Sequence, residues 1–232
     1  MIERRPLETL GEFRGDWLLA RYHFSFAGYH DSERMGVGPL RVWNDDRIAP
    51  GKGFDMHGHR DMEIITYVRA GAIWHRDHLG NEGLTEAGDV QVMSAGKGIL
   101  HAEYNRGETP TLLYQIWIEP IQKGGPPRWE TRAFPERSQA AELVPLASGQ
   151  QGVKGALPIN QDATVFGALL PAGTSLGHDL TAGRRAYLVA PRGRLTVNGV
   201  TVEAGDGLVM ADQPSLYIAA DTESELVLAD LP

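Results

Sequence analysis

The sequence predicts an all-β protein built of two small β-barrels, on three observations. Glycine and proline supply 28 and 14 of the 232 residues, well above their usual combined share of ~12%. They separate short runs of Val, Ile, Leu, Tyr and Trp, which is the punctuation of strands joined by turns. The segment Glu86-Ala87-Gly88-Asp89 returns as Glu203-Ala204-Gly205-Asp206, each time leading into an apolar run, so one structural unit occurs twice.

Taken in chain order, strands are expected at 17–26, 40–48, 62–69, 72–76, 89–94 and 112–118 in the first copy. The second copy supplies 164–170, 185–190, 195–197, 207–210, 216–219 and 225–228. One helix is predicted, from Pro135 to Leu143, with the proline in its first turn. The first unit is placed at 1–125, a polar linker carrying the helix at 126–150, and the second unit at 151–232.

Two further stretches, GFDMHGHRDMEIITYV and GDVQVMSAGKGILHAEYN, are read as strands that carry ligand-type pairs: His57 with His59, and His101 with Glu103. Side chains at i and i+2 of a strand share a face, roughly 6.6 Å apart. Two such pairs on facing strands can converge on one cation, and imidazole and carboxylate suit first-row divalent metals at about 2.0–2.2 Å. Such a set leaves coordination positions open for water, oxygen or substrate.

Composition narrows the chemistry. The net charge of −8 argues against nucleic-acid and anionic-membrane partners. With no cysteine, disulfides and thiolate ligands are excluded, so any metal is held by nitrogen and oxygen. No run of about 18 apolar residues occurs, and MIERRPLETLGEF lacks a signal-peptide core, so a soluble cytoplasmic protein is expected.

Other motifs have plainer readings. His75-Arg76-Asp77 matches a kinase tripeptide without the remaining kinase elements and is read as a polar strand end and turn. Gly96-Lys97-Gly98 lacks the spacing of a phosphate loop and is read as the turn that delivers His101. Trp43, Trp74, Trp117 and Tyr114 are assigned to the core or barrel lining, with one or two available for an aromatic pocket. His23, His30 and His178 are read as structural or exposed. The offset between the two EAGD turns maps His101 onto Ile218 and Glu103 onto Ala220, with His178 near the place of His57.

Gly51, His57, His59, Glu63 and Gly71 resemble the first cupin motif, and Gly88, Gly96, His101 and Asn105 the second, with Ser94 where cupins usually have proline. DMEIITYV, HRDHLGN, GDVQVMSAGKGILHAEYN and LYQIWIEP resemble the pirin family, especially its bacterial quercetinase-like members. The match is specific over 17–134 and looser beyond. The resemblance implies a bicupin, two jelly-roll-like β-barrel domains in one chain, with metal in the N-terminal one.

It also implies His57, His59, His101 and Glu103 as ligands of one divalent ion, with Fe(II) favoured and Mn, Ni, Cu or Zn as alternatives. Many other cupins use the motif-one glutamate, here Glu63. Strand parity leaves both open; the pirin match favours Glu103, with Glu63 behind a ligand imidazole. Two departures stand out: H-A-E replaces the usual H-S-E, and H-G-H replaces H-P-H, where Gly58 is expected to loosen a turn. The implied activity is a quercetin 2,3-dioxygenase: oxygenative ring cleavage of a flavonol with carbon monoxide release, in which Glu103 accepts the substrate proton. A small aromatic substrate, O2 and a monomer are expected. A metal-responsive regulatory cupin with a protein partner, and a sugar-binding or isomerase cupin, are the alternatives.

Overall fold

The structure, a computed structural model, describes residues 1–133 and 141–232. Its first half contains β1 (Ile2–Arg5), β2 (Gly11–Arg14), β3 (Leu18–Tyr22), β4 (Leu40–Ile48), β5 (Gly53–His59), β6 (Glu63–Ala70), β7 (Ala72–Asp77), β8 (Glu82–Glu86), β9 (Asp89–Ser94), β10 (Ile99–Tyr104), β11 (Thr111–Ile118) and β12 (Arg128–Ala133). The second contains β13 (Val144–Ser148), β14 (Leu157–Pro158), β15 (Thr164–Leu170), β16 (Ser175–Asp179), β17 (Arg185–Arg192), β18 (Leu195–Val197), β19 (Val200–Val202), β20 (Gly207–Ala211), β21 (Ser215–Ala220) and β22 (Ser224–Leu231).

The strands form the same pair of sheets twice. A seven-stranded sheet β12-β9-β6-β11-β4-β3-β2 faces a four-stranded sheet β5-β10-β7-β8, and β1-β20-β17-β22-β15-β13-β14 faces β16-β21-β18-β19. The architecture is a bicupin. The duplicated EAGD turns need glycine for the same reason in both copies, because Gly88 and Gly205 sit at φ +89° and +85°, where a Cβ is strained.

The two large sheets pack back to back over one shared core. Trp43, Tyr67 and Tyr114 of the first half meet Tyr187, Val189 and Val227 of the second within a single buried cluster. This is why β6, Glu-Ile-Ile-Thr-Tyr-Val-Arg-Ala, is buried along both faces: alternate residues point into the shared core and into the first barrel. The second barrel is filled by its own aliphatic core, with Leu188, Leu208 and Ile218 fully buried.

The expected boundaries need correction at both ends of the first unit. Residues 2–5 leave it and pair antiparallel with β20, from Ile2 opposite Met210 to Arg5 opposite Gly207; the Arg4–Asp206 ion pair at 2.7 Å secures the exchange. The supposed linker supplies β12, which completes an edge of the first barrel by pairing with β9, and β13, which joins the second. Strand pairing between distant segments leaves no local signature, so a composition shift cannot locate it. The helix predicted from Pro135 falls largely on residues 134–140, outside the described residues. Among the described residues no helix is long and apolar enough to cross a membrane.

Register also refines the internal repeat. Ile218 lies opposite Leu176 as His101 lies opposite His57, and His178 lies opposite Leu216 as His59 lies opposite Ile99. His178 is therefore the counterpart of His59, not of His57, and its imidazole is engaged by Asp230 at 2.9 Å.

His23 sits fully buried between the halves, its Nδ1 hydrogen-bonded with the Tyr187 hydroxyl at 2.8 Å. Burial, then the nearby Arg5, Arg34 and Arg69, push its pKa from 6.5 to about 3. The unfolded chain binds the extra proton first, so the stability tied to neutral His23 is intact above about pH 6.5 and is lost as pH falls toward 3. Melting temperatures measured from pH 7 to pH 4 should therefore decline less steeply for His23→Gln than for the wild type; equal slopes would exclude this residue as a contributor.

Candidate metal centre

The central strand of the small N-terminal sheet assembles the site. β10 runs between β5 and β7, placing His101 opposite His57 on one side and Asp77 on the other. The ladder shifts between His101 and Glu103, so that Glu103 pairs with Phe54. Such a bulge changes which side chains share a face, and Phe54 here lines the same cavity as His57 and His59. Gly53 permits the close approach of β5: a Cβ there would lie 2.1 Å from the carbonyl oxygen of Glu103.

The three expected imidazoles converge. Ring centroids are 4.5 Å apart for His57–His101, 4.8 Å for His57–His59 and 5.0 Å for His59–His101, and one donor nitrogen from each lies within 4.8 Å of the others. His57 Nδ1 donates to the Asp55 carbonyl oxygen at 2.6 Å, which leaves Nε2 as the free electron pair. His101 Nε2 is buried without a hydrogen-bond partner, an arrangement costing about 1–3 kcal/mol if nothing fills it. Burial, followed by the neighbouring imidazoles, lowers His59 and His101 to about 3. Closely grouped nitrogen donors, with the His101 Nε2 orphaned, fit a divalent cation of borderline softness.

Glu103 occupies a second, overlapping cluster. Its carboxylate groups with His101 and His75, again with donor atoms within 4.8 Å. It accepts from Gln91 Nε2 at 2.5 Å and Gln115 Nε2 at 2.7 Å, and burial raises its pKa. Behind it, the Trp129 indole donates to Gln91 Oε1 at 3.1 Å and stacks on His75 at 4.8 Å with planes 4° apart. Gly83 leaves room for that ring, since a Cβ there would lie 2.4 Å from it.

Glu63 is not behind the imidazoles. The chain bends at Asp61, at φ +50°, and Glu63 begins a strand of the other sheet, so parity does not carry across. Its carboxylate accepts from Ser94 Oγ at 2.5 Å, and it lines a different cavity, with Arg128 and Asn160. Gly58 is likewise not in a turn: it lies within β5 opposite Leu100. Ala102 is buried opposite Arg76, on the face away from the imidazoles.

The imidazoles open into a cavity of about 220 Å³. Its walls are Leu18, Ala20, Tyr22, Phe26, Phe54 and Trp117, with Asn44, Asp46 and Gln115 as further polar positions. Of the aromatic residues singled out in the sequence, only Trp117 lines it, edge-on to His59 at 4.9 Å. Trp43 and Tyr114 belong to the shared core, and Trp74 lies under the Arg106 guanidinium. Sequence reasoning missed Asn44, Asp46, Gln91, Gln115, His75 and Trp129. Gln91 and Gln115 are visible as single polar residues in apolar strands, whereas Asn44 and Asp46 sit in the polar run Asn44-Asp45-Asp46-Arg47 that reads as exposed; His75 is visible as the first member of the i, i+2 pair with Asp77.

Comparisons with known proteins agree with this geometry. Residues 4–118 match the family described as Pirin, and residues 146–231 the family described as Quercetinase C-terminal cupin domain. A Pseudomonas aeruginosa protein named "putative quercetin 2,3-dioxygenase" is 54% identical over 231 residues, 100% of both chains. The Escherichia coli K12 protein named quercetin 2,3-dioxygenase is 41% identical over 100% of this chain and 99% of its own. The crystal structure of the bacterial pirin YhhW from Escherichia coli in complex with nickel(II) superposes with a TM-score of 0.94 at 40% identity, covering 100% of this chain and 99% of that one.

The geometry separates the two glutamates by experiment. Metal content per chain, measured after equilibration with one equivalent of divalent ion and gel filtration, should stay near stoichiometric in Glu63→Gln and fall at least tenfold in His101→Ala. Loss of metal in Glu63→Gln would return that residue to the site.

Proposed function

The chain belongs to the pirin family, and on that footing we propose that its N-terminal cavity is a mononuclear metal-dependent dioxygenase site that opens the ring of a flavonol such as quercetin, releasing carbon monoxide. The observation that carries this reading is the meeting of three imidazoles in the wall of a largely apolar, aromatic-lined cavity. His57, His59 and His101 hold the ion, and Glu103 completes the set. With Fe(II) the first choice, an ion held there would supply Lewis acidity toward a hydroxyl and redox chemistry toward O2.

The remaining work falls to the chain. Glu103, its pKa raised by burial, accepts the proton of the flavonol 3-hydroxyl on a carboxylate oxygen, as a more basic carboxylate than an exposed one. Gln91 and Gln115 fix that carboxylate and keep it from swinging away. Phe26, Phe54 and Trp117 take the flat rings and exclude water. Both atoms of O2 enter the ring-opened ester, and one ring carbon leaves as carbon monoxide.

The test is turnover of quercetin by protein loaded anaerobically with Fe(II) or Mn(II) and then exposed to O2, with carbon monoxide measured alongside. The wild type should consume quercetin and release carbon monoxide, His57→Ala should do neither, and Glu103→Gln should lower kcat by about 10²–10⁴. Equal inactivity of wild type and His57→Ala with every metal would overturn the reading and favour a regulatory cupin.

A further inference from the structure

His75-Arg76-Asp77, read from the sequence as a polar strand end and turn, has no role in the scheme above. In the register of β7 on β10, Asp77 lies opposite His101 and His75 opposite Glu103, so these four side chains share one face of the small sheet. The His75 and Asp77 side chains are fully buried. His101 Nδ1 meets His75 Nδ1 at 3.4 Å, and His75 Nε2 meets Asp77 Oδ2 at 3.5 Å. Both links are long, but among the described residues neither imidazole has another hydrogen-bond partner. The turn after β7 holds Asp77 in place: Oδ1 accepts from the Leu79 and Asn81 amides at 2.9 and 3.1 Å, and Oδ2 from Asn81 Nδ2 at 2.8 Å. Trp129, stacked flat on His75, fixes the plane of that ring.

A ligand histidine is usually oriented by a group that can only accept, as the Asp55 carbonyl orients His57. The group behind His101 is another imidazole, which presents a proton or a lone pair at Nδ1 according to its tautomer. The second partner of His75 must therefore decide, and that partner is Asp77. Its carboxylate, already surrounded by three donors, accepts, which places the His75 proton at Nε2 and leaves a lone pair at His75 Nδ1. That lone pair draws the His101 proton to Nδ1. His101 Nε2, the nitrogen without a partner, is then the bare electron pair that an ion needs. We propose that His75 and Asp77 are positioning residues, which set the tautomer of His101 and so prepare it for the metal. This rests on the three imidazoles holding an ion, as proposed above, and is independent of the reaction at that ion.

Three substitutions separate this role from packing. In Asp77→Asn the two backbone amides keep the side-chain oxygen at the Oδ1 position and turn the NH2 group toward His75, which reverses the chain of donors. His75→Gln keeps an acceptor for His101 and a donor for Asp77 but loses the stack on Trp129, whereas His75→Phe keeps the stack and loses both polar atoms. The experiment reads histidine tautomers in metal-free protein by long-range 1H–15N NMR, and Zn(II) affinity by competition with a chelator. Wild type should carry the His101 proton at Nδ1 and the His75 proton at Nε2, and Asp77→Asn should carry the His101 proton at Nε2. Zn(II) affinity should fall by about 10–100-fold in Asp77→Asn and His75→Phe and be restored to within about threefold of wild type in His75→Gln. A His101 proton at Nε2 in the wild type overturns the proposal. So does tight binding by His75→Phe with weak binding by His75→Gln, which is the mark of packing alone. If Asp77→Asn does not fold, the wild-type tautomers and the two His75 variants decide. Wild type with the stated tautomers that takes up no ion sinks only the metal reading, and uptake by a chain whose His101 carries its proton at Nε2 sinks only the positioning role.

Discussion

The back-to-back packing of the two seven-stranded sheets is the constraint on which the site depends. Strand parity divides β4, β6, β9 and β11 into two sets of side chains. Trp43, Ile65, Tyr67, Val92, Tyr114 and Ile116 face the partner sheet and form the shared core. The alternate set includes Asn44, Asp46, Thr66, Gln91 and Gln115, all buried inside the first barrel. Hydrophobic burial contributes roughly 25 cal/mol per Å² wherever it occurs. By moving that contribution to the outside of its large sheet, the first barrel can keep an interior that is polar and still be folded.

The second barrel shows the alternative. Its interior positions are filled with Leu176, Leu188, Leu208, Ile218 and Leu228, and the register equivalents of His57 and His101 are Leu176 and Ile218. One copy therefore supplies packing and the other chemistry, which accords with the view that cores tolerate polar groups where function holds them. The halves are interlocked as well as apposed, because β1 crosses to the second barrel while its continuation, β2, stays in the first. Arg4 and the Leu7 amide both engage Asp206, in the second copy of the EAGD turn. The repeated turn thus anchors the crossing point of the N-terminal strand.

How much of this was legible follows from what kind of information each feature needs. The imidazole pairs were readable because strand parity is local: His57 with His59 needs only three consecutive positions and an extended backbone. The duplicated turn was readable because two glycines at positive φ leave the same short segment in both copies. The pairing of β1 with β20 and of β12 with β9 was not, since a strand's partner is decided by the assembled sheet. Glu63 was misplaced for a related reason: parity holds only while the strand continues, and the left-handed Asp61 breaks it. Gln91 and Gln115 could be seen as polar residues among apolar ones, while Asn44 and Asp46 were hidden in the run Asn44-Asp45-Asp46-Arg47. Which face they occupied required knowing that both faces of their sheet are buried.

The position of β12 carries the dependence of the site on the fold one step further. Trp129 closes over His75 and donates to Gln91, and Gln91 holds Glu103, so the carboxylate grouped with His101 and His75 is oriented from a strand that carries none of the ligand-type pairs. A second contact ties the same strand to the neighbouring barrel: Arg128 donates through Nε to Ser94 at 3.0 Å and through Nη2 to the Pro158 carbonyl oxygen. Ser94 in turn donates to Glu63. The motif-one glutamate thus serves to pin the edge of the large sheet between the barrels, while the motif-two glutamate faces the imidazoles. Exchange of these roles would require β6 to extend the face of β5, and the change of sheet at Asp61 prevents it. The division between a structural and a site-facing carboxylate therefore follows the sheet each strand joins, β6 the large one and β10 the small one, upstream of any property of the carboxylates themselves.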